Sequence, residues 1–161
     1  MPQIKNKIIL NLILVFSIFS ILTAYFIQYV LGHDPCNLCL IERIPYIFST
    51  IIISICLLTK KFEKITLLIL SLTFFTAMLL SFYHFGIEQG FIKESLVCDL
   101  NSSNNDLSKE ALLSRLKEMP ISCKNVTFKI FGLSLATFNI FISLILSAIT
   151  TKNFLTYEKN K

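Results

Sequence analysis

Apolar residues in this chain fall into long unbroken runs separated by short polar stretches, without the alternating faces of a soluble amphipathic helix. Ile8 to Val30 is 23 residues without a formal charge, Ile65 to Phe85 is 21 with Tyr83 and His84 as its titratable side chains, and Phe131 to Ile149 is 19 more. A fourth run, Ile44 to Leu58, has only 15 residues, short of the roughly 20 that a helix needs to cross about 30 Å of hydrocarbon. It can span only by borrowing Leu40, Ile41, Glu42 and Arg43, which puts Glu42 and Arg43 at the headgroup level. The pattern predicts an all-α fold, an integral membrane four-helix bundle. Its spans are expected at about 8–30, 40–58, 65–85 and 128–149, forming a single membrane domain over 1–161 with outer connections at 31–39 and 86–127.

Composition agrees: of 161 residues 54% are hydrophobic and 16% charged, with a mean hydropathy of +0.70. A soluble globular domain carries about 25% charge. Lys5 and Lys7 before the first run resemble a signal peptide, but the run is too long and Thr23 to Tyr29 too bulky for a small-x-small cleavage site, so this helix is expected to be retained. The tails and the 59–64 turn carry eight basic and two acidic residues, whereas the other connections carry seven basic and eight acidic. Positive charge collects on the cytoplasmic side, so both termini are expected in the cytoplasm. Topology accounts for the basic residues; no nucleotide loop or nucleic-acid motif is present, and the lipid bilayer is the expected environment.

The 86–127 connection is too small for a core of its own and should rest on the bundle or the membrane surface. Within it Asn101 to Asp106 reads as a flexible polar segment. Ser108 reads as the cap of a short amphipathic helix whose apolar face is Leu112, Leu113, Leu116 and Met119 and which Pro120 ends. It can lie in the interface or pack on the bundle top.

The chemistry lies in five cysteines. Cys36 and Cys39 form a C-x-x-C before the second span, Cys98 and Cys123 lie in the long connection, and Cys56 sits inside an apolar run, where it reads as an inert small hydrophobe. Four cysteines on the outer side suit disulfide chemistry. Inert staples and a four-thiolate metal site are alternatives, although Cys98 and Cys123 lack the close spacing of a second zinc pair. Asp34 as N-cap and Pro35 at the first helical position would put both thiols in the first two turns, where backbone N–H groups favour thiolate. Arg43, four residues beyond Cys39, would share their face. A dithiol where lipid begins invites a lipid-soluble acceptor, and a quinone is the natural choice. His84, at the outer end of the third span, is at a suitable depth to contact one, or else is an interface residue.

The residues that carry this chemistry also carry a resemblance. Pro35-Cys36-Asn37-Leu38-Cys39 followed by Glu42-Arg43, Tyr83 to Glu88, Pro120-Ile121-Ser122-Cys123, and Phe131 to Ala136 followed by Asn139 resemble the disulfide bond formation protein B (DsbB) family of bacterial inner-membrane thiol oxidases. The resemblance implies that a periplasmic thioredoxin-like (DsbA-like) dithiol protein attacks a Cys98–Cys123 disulfide at Cys98. Cys123 then exchanges with Cys36, Cys39 faces ubiquinone or menaquinone, and Arg43 stabilises that contact. No metal is implied. Many relatives carry a tryptophan near the fourth helix; this chain has none and offers Phe128, Phe131 or Phe138.

Two competitors remain. A vitamin K epoxide reductase-like enzyme should place its C-x-x-C on a late helix, and the fourth span here has no cysteine. A disulfide-stapled membrane scaffold would have fixed bridges and no quinone.

Overall fold

The computed structural model describes residues 2–59, 62–93, 123, 129–130 and 132–159. The amphipathic segment from Ser108 to Met119, Cys98, and the aromatic positions Phe128 and Phe131 lie outside the described residues. Among the described residues there are five helices and a minimal hairpin: α1 (Pro2–Tyr29), α2 (Asn37–Ile41), α3 (Ile44–Thr59), α4 (Glu63–Glu88), β1 (Lys129–Ile130), β2 (Leu133–Ser134) and α5 (Leu135–Lys159). Among the described residues, four stretches are long and apolar enough to cross a membrane: Lys7–Tyr29, Asn37–Thr59, Glu63–Glu88 and Leu135–Tyr157. The all-α membrane bundle expected from the apolar runs is therefore present.

Two boundaries differ from the hydropathy reading. The second span is not one helix from Leu40 to Leu58 but α2 and α3, joined by a turn at Glu42 and Arg43. Pro45 explains the break. It has no N–H for the Ile41 carbonyl, and its ring would clash there, yet it fits the first turn of a new helix. The last helix begins at Leu135, not near residue 128, because β1 and β2 pair antiparallel as Lys129 with Ser134 and Ile130 with Leu133. Gly132 makes the reversal at φ +81°, a conformation that glycine adopts without a Cβ penalty. Ser134 then caps α5, its Oγ accepting the Thr137 N–H at 3.3 Å.

The helices pack as expected without a water-driven hydrophobic effect, through small residues and shape. Ser17, Ser49, Ser81, Ser143, Ala77 and Thr150 are all buried between helices, where short side chains let backbones approach. At the end remote from the C-x-x-C, Leu10, Ile13, Ile53, Leu67, Leu70 and Phe74 form an apolar core, with Tyr46 set edge-on to Phe74. Leu12, Val15, Phe19, Leu22, Phe75 and Phe82 face outward. Such a belt would aggregate a soluble protein and is what lipid covers. Packing is uneven. α4 lies along α5, α1 along α3 and α3 along α4, while α1 barely touches α5. A cleft therefore stays open between the first and last helices, and it leads to the cysteines.

Candidate redox site

Cys36 is itself the N-cap of α2, in extended backbone at φ −69° and ψ 166°, with its Sγ accepting the Cys39 N–H at 3.3 Å. The cap thus falls two residues later than the Asp34 expected from sequence. Sulfur fills the role a serine oxygen plays elsewhere. The Cys36 and Cys39 sulfurs are 2.8 Å apart as thiols, a small rotation from the roughly 2.0 Å of a disulfide bond. Two zinc-bound sulfurs would sit about 3.8 Å apart on tetrahedral geometry. Although Cys36, Cys39 and His84 bring three potential ligand atoms within 4.8 Å of one another, this spacing suits sulfur–sulfur chemistry. The Cys36 thiol is held well below the ordinary thiol range. Donation from Cys39 is the largest cause, and His84 adds to it, together outweighing burial, which pushes the other way.

His84 comes from α4 and is 2% exposed. Its Nε2 lies 3.5 Å from the Cys36 sulfur and its Nδ1 2.8 Å from Glu42 Oε1. Glu88, one turn on, has Oε1 3.7 Å from Nε2. An ionised carboxylate only accepts, so Nδ1 carries the proton toward Glu42 and Nε2 is left to take a proton from sulfur or return one. Cys36, His84 and Glu42 are thus in line for proton transfer.

Glu42 turns inward, not out toward a surface as its place in the sequence suggests. It is 8% exposed and turned into the bundle, where Asn139 Nδ2 of α5 donates to its Oε2 at 3.0 Å. The turn before Pro45 explains this, because it sends neighbouring residues to opposite sides. Arg43 goes the other way: its Nη1 donates to Gln28 Oε1 at 2.7 Å, and its guanidinium lies 5.1 Å from the centre of the Tyr25 ring.

These groups surround one cavity of about 370 Å³. Cys36, Cys39, Arg43, His84 and Cys123 line its cysteine end, and Phe16, Phe19, Ile27, Phe138 and Ile142 line the cleft between α1 and α5. Cys123 is buried, disulfide-bonded, and clustered with Cys36, Leu38 and Ile87. Of the residues singled out from sequence, Cys36, Cys39, Cys123, Arg43 and His84 meet at this cavity; Cys98 lies outside the described residues.

Sequence reasoning gave no inward role to Glu42 and none to Asn139, Tyr46 or Ser81. The available signal was a polar side chain inside an apolar run, which in a membrane helix points to the bundle interior. Asn139 within Phe131 to Ile149 is the plainest case.

A family model described as disulfide bond formation protein DsbB matches residues 6–152. An uncharacterized protein, RP370, of Rickettsia prowazekii (strain Madrid E) is 32% identical over 144 residues, covering 86% of this chain and 82% of its own length. No solved structure matches. With the family match spanning nearly the whole chain and four membrane-crossing helices to house it, this is a multi-pass membrane protein of the DsbB family, whose members serve disulfide formation.

Proposed function

We propose that the chain is a thiol:quinone oxidoreductase of the bacterial inner membrane, with both termini cytoplasmic. It reoxidises a periplasmic DsbA-like dithiol protein and passes the electrons through two cysteine pairs to membrane quinone. The observation that carries this reading is the burial of Cys123 in one cluster with Cys36, which gathers cysteines from distant parts of the sequence at the mouth of a lipid-level cavity. A staple has no need of that juxtaposition.

The exchange steps balance within the protein. A donor thiolate attacks Cys98 and breaks the Cys98–Cys123 bond, releasing Cys123 as thiolate. In the oxidised pair, Cys123 attacks Cys36 and breaks the Cys36–Cys39 bond, releasing Cys39 toward the cavity; the donor's second thiol then displaces Cys98 from the mixed disulfide, and Cys98 displaces Cys36 from Cys123, which restores Cys98–Cys123 and leaves the donor oxidised and Cys36 and Cys39 reduced. His84 takes or returns the proton at Cys36, and Glu42 holds the imidazole for it.

The cavity fits a quinone: its apolar cleft suits an isoprenoid tail, and its polar end offers a thiol, a guanidinium and an imidazole to a ring carbonyl. When bound, ubiquinone or menaquinone supplies the two-electron acceptor. Cys39 and Arg43 would hold its head, with Gln28 and Tyr25 keeping the guanidinium in place.

The test is anaerobic mixing of the purified oxidised chain with a short-tailed quinone and a reduced thioredoxin-like donor. One quinol should form per donor disulfide, and none with Cys39→Ala. Absence of quinol with either quinone type, with the donor left reduced, would favour the stapled scaffold.

A further inference from the structure

The interior of the bundle just below the thiols holds a polar group that the exchange steps do not use. Asn139 makes contacts in every direction its amide allows. Its Nδ2 donates to Glu42 Oε2 at 3.0 Å and to Ser81 Oγ at 2.7 Å. Its Oδ1 accepts from the Tyr46 hydroxyl and, at 3.3 Å, from Ser143. Two donors and two acceptor sites are all occupied. The amide orientation is also determined chemically, since a carboxylate cannot face Oδ1. Asn139 is half-buried and also lines the cavity, and its four bonds tie α3, α4 and α5 together at this point.

We propose that Asn139 is a positioning residue for thiol exchange at Cys36, fixing Glu42, which in turn fixes His84 with Nε2 aimed at the Cys36 sulfur. Glu42 spans the two contacts with its two oxygens, Oε1 to His84 and Oε2 to Asn139. When Cys36 deprotonates, its proton moves from Sγ to His84 Nε2. The S–H bond breaks, an N–H bond forms, and the imidazolium keeps its Nδ1–H on the Glu42 carboxylate. Protonation of His84 Nε2 by the thiol places a cation beside the new thiolate, which favours both attack by Cys36 and its departure from a mixed disulfide. Removing the Asn139 donor leaves Oε2 without that partner in a buried site, so the carboxylate and the imidazole lose their shared alignment.

The other ionisable groups around His84 do not supply this link. Cys39 approaches from α2 and bonds the Cys36 sulfur, Glu88 lies on His84's own helix at 3.7 Å from Nε2, and Tyr46 of α3 bonds Asn139. Arg43, His33 and Asp34 line the same cavity, and Arg43 is held by α1. From α5, Asn139 reaches His84 only through Glu42.

The inference rests on Cys36 acting as a redox thiol, yet its measurement needs neither quinone nor donor, so its failure is separable from failure of the proposed function. The full chain carrying Cys39→Ala, reduced and in micelles, is alkylated with iodoacetamide across a pH series, and the Cys36 adduct is quantified by peptide mass spectrometry. Removal of Cys39 takes away its hydrogen bond and exposes the contribution of His84. Asn139→Leu should raise the Cys36 titration midpoint and lower its alkylation rate at pH 7 about tenfold, one pH unit of thiolate population. Glu42→Gln, which preserves shape and reads the same link at its middle, should give a loss of similar size and serves if the leucine variant does not fold.

In a His84→Gln background, Asn139→Leu should change the midpoint no further, because the coupling runs through His84. An unchanged midpoint in both single variants would overturn the proposal. So would an equal effect of Asn139→Leu with and without His84, which would mark Asn139 as a packing residue.

Discussion

Two cysteines in this bundle are almost equally hidden, Cys36 at 6% exposure and Cys56 at 4%, but their surroundings have little in common. Cys56 clusters with Ile53, Leu67 and Leu70, beside a small cavity of about 180 Å³ that Thr59 and Thr66 also line. Around Cys36 are a second thiol, a backbone N–H and an imidazole backed by a carboxylate. Burial by itself makes a thiol unreactive, since it disfavours the charge that nucleophilic sulfur carries. The two positions differ in what the Cys36 end gathers: a second thiol and an imidazole held by a carboxylate.

The strongest test of that contrast is removal of the thiols in turn. Cys39→Ala should reduce quinone-dependent turnover about a thousandfold or more, to background. Cys56→Ala should leave turnover within about twofold while costing about 1 kcal/mol of stability through lost packing. Steady-state quinol formation together with thermal unfolding reads both. A comparable activity loss in the Cys56 variant would erase the distinction between the two ends.

A smaller effect is expected on Arg43, which touches the cavity from outside the Cys36–His84–Glu42 line. Arg43→Met should raise the apparent KM for quinone about tenfold, equivalent to about 1.4 kcal/mol, while donor exchange persists. Lysine should restore only part, because one ammonium cannot both hold Gln28 and offer a planar fork to a ring carbonyl. Stopped-flow records of quinone absorbance and donor oxidation separate the steps.

The mildest perturbation is pH. With Cys39 in place, the depressed Cys36 thiol stays largely thiolate as pH falls through the neutral range, so its alkylation rate should stay near the plateau and decline only in acid. An ordinary thiol loses about tenfold per unit below roughly pH 8.5. A normal thiol profile at Cys36 would dissolve the electrostatic half of the comparison.

How much of this was legible in the sequence divides along the same line. The apolar runs, the C-x-x-C before the short second run and the depth of His84 follow from local pattern. The inward turn of Glu42 does not, because adjacent Glu42 and Arg43 look alike as interfacial charges until Pro45 is seen to start a new helix. Asn139 pairs with Glu42 across 97 residues of sequence, and no periodicity links the two. The hairpin at Gly132 was masked in turn by its apolar neighbours Ile130, Phe131 and Leu133, which read as the beginning of a span.

The last of these pairings also sets a clock on the molecule's birth. Synthesis runs at about 5–20 residues per second, so Asn139, 97 residues after Glu42, leaves the ribosome on the order of 5–20 s later. During that interval Glu42 can already meet His84 of α4, but the donor to its second oxygen does not yet exist. The link from α5 to the Cys36–His84–Glu42 line is therefore made only when the final helix docks.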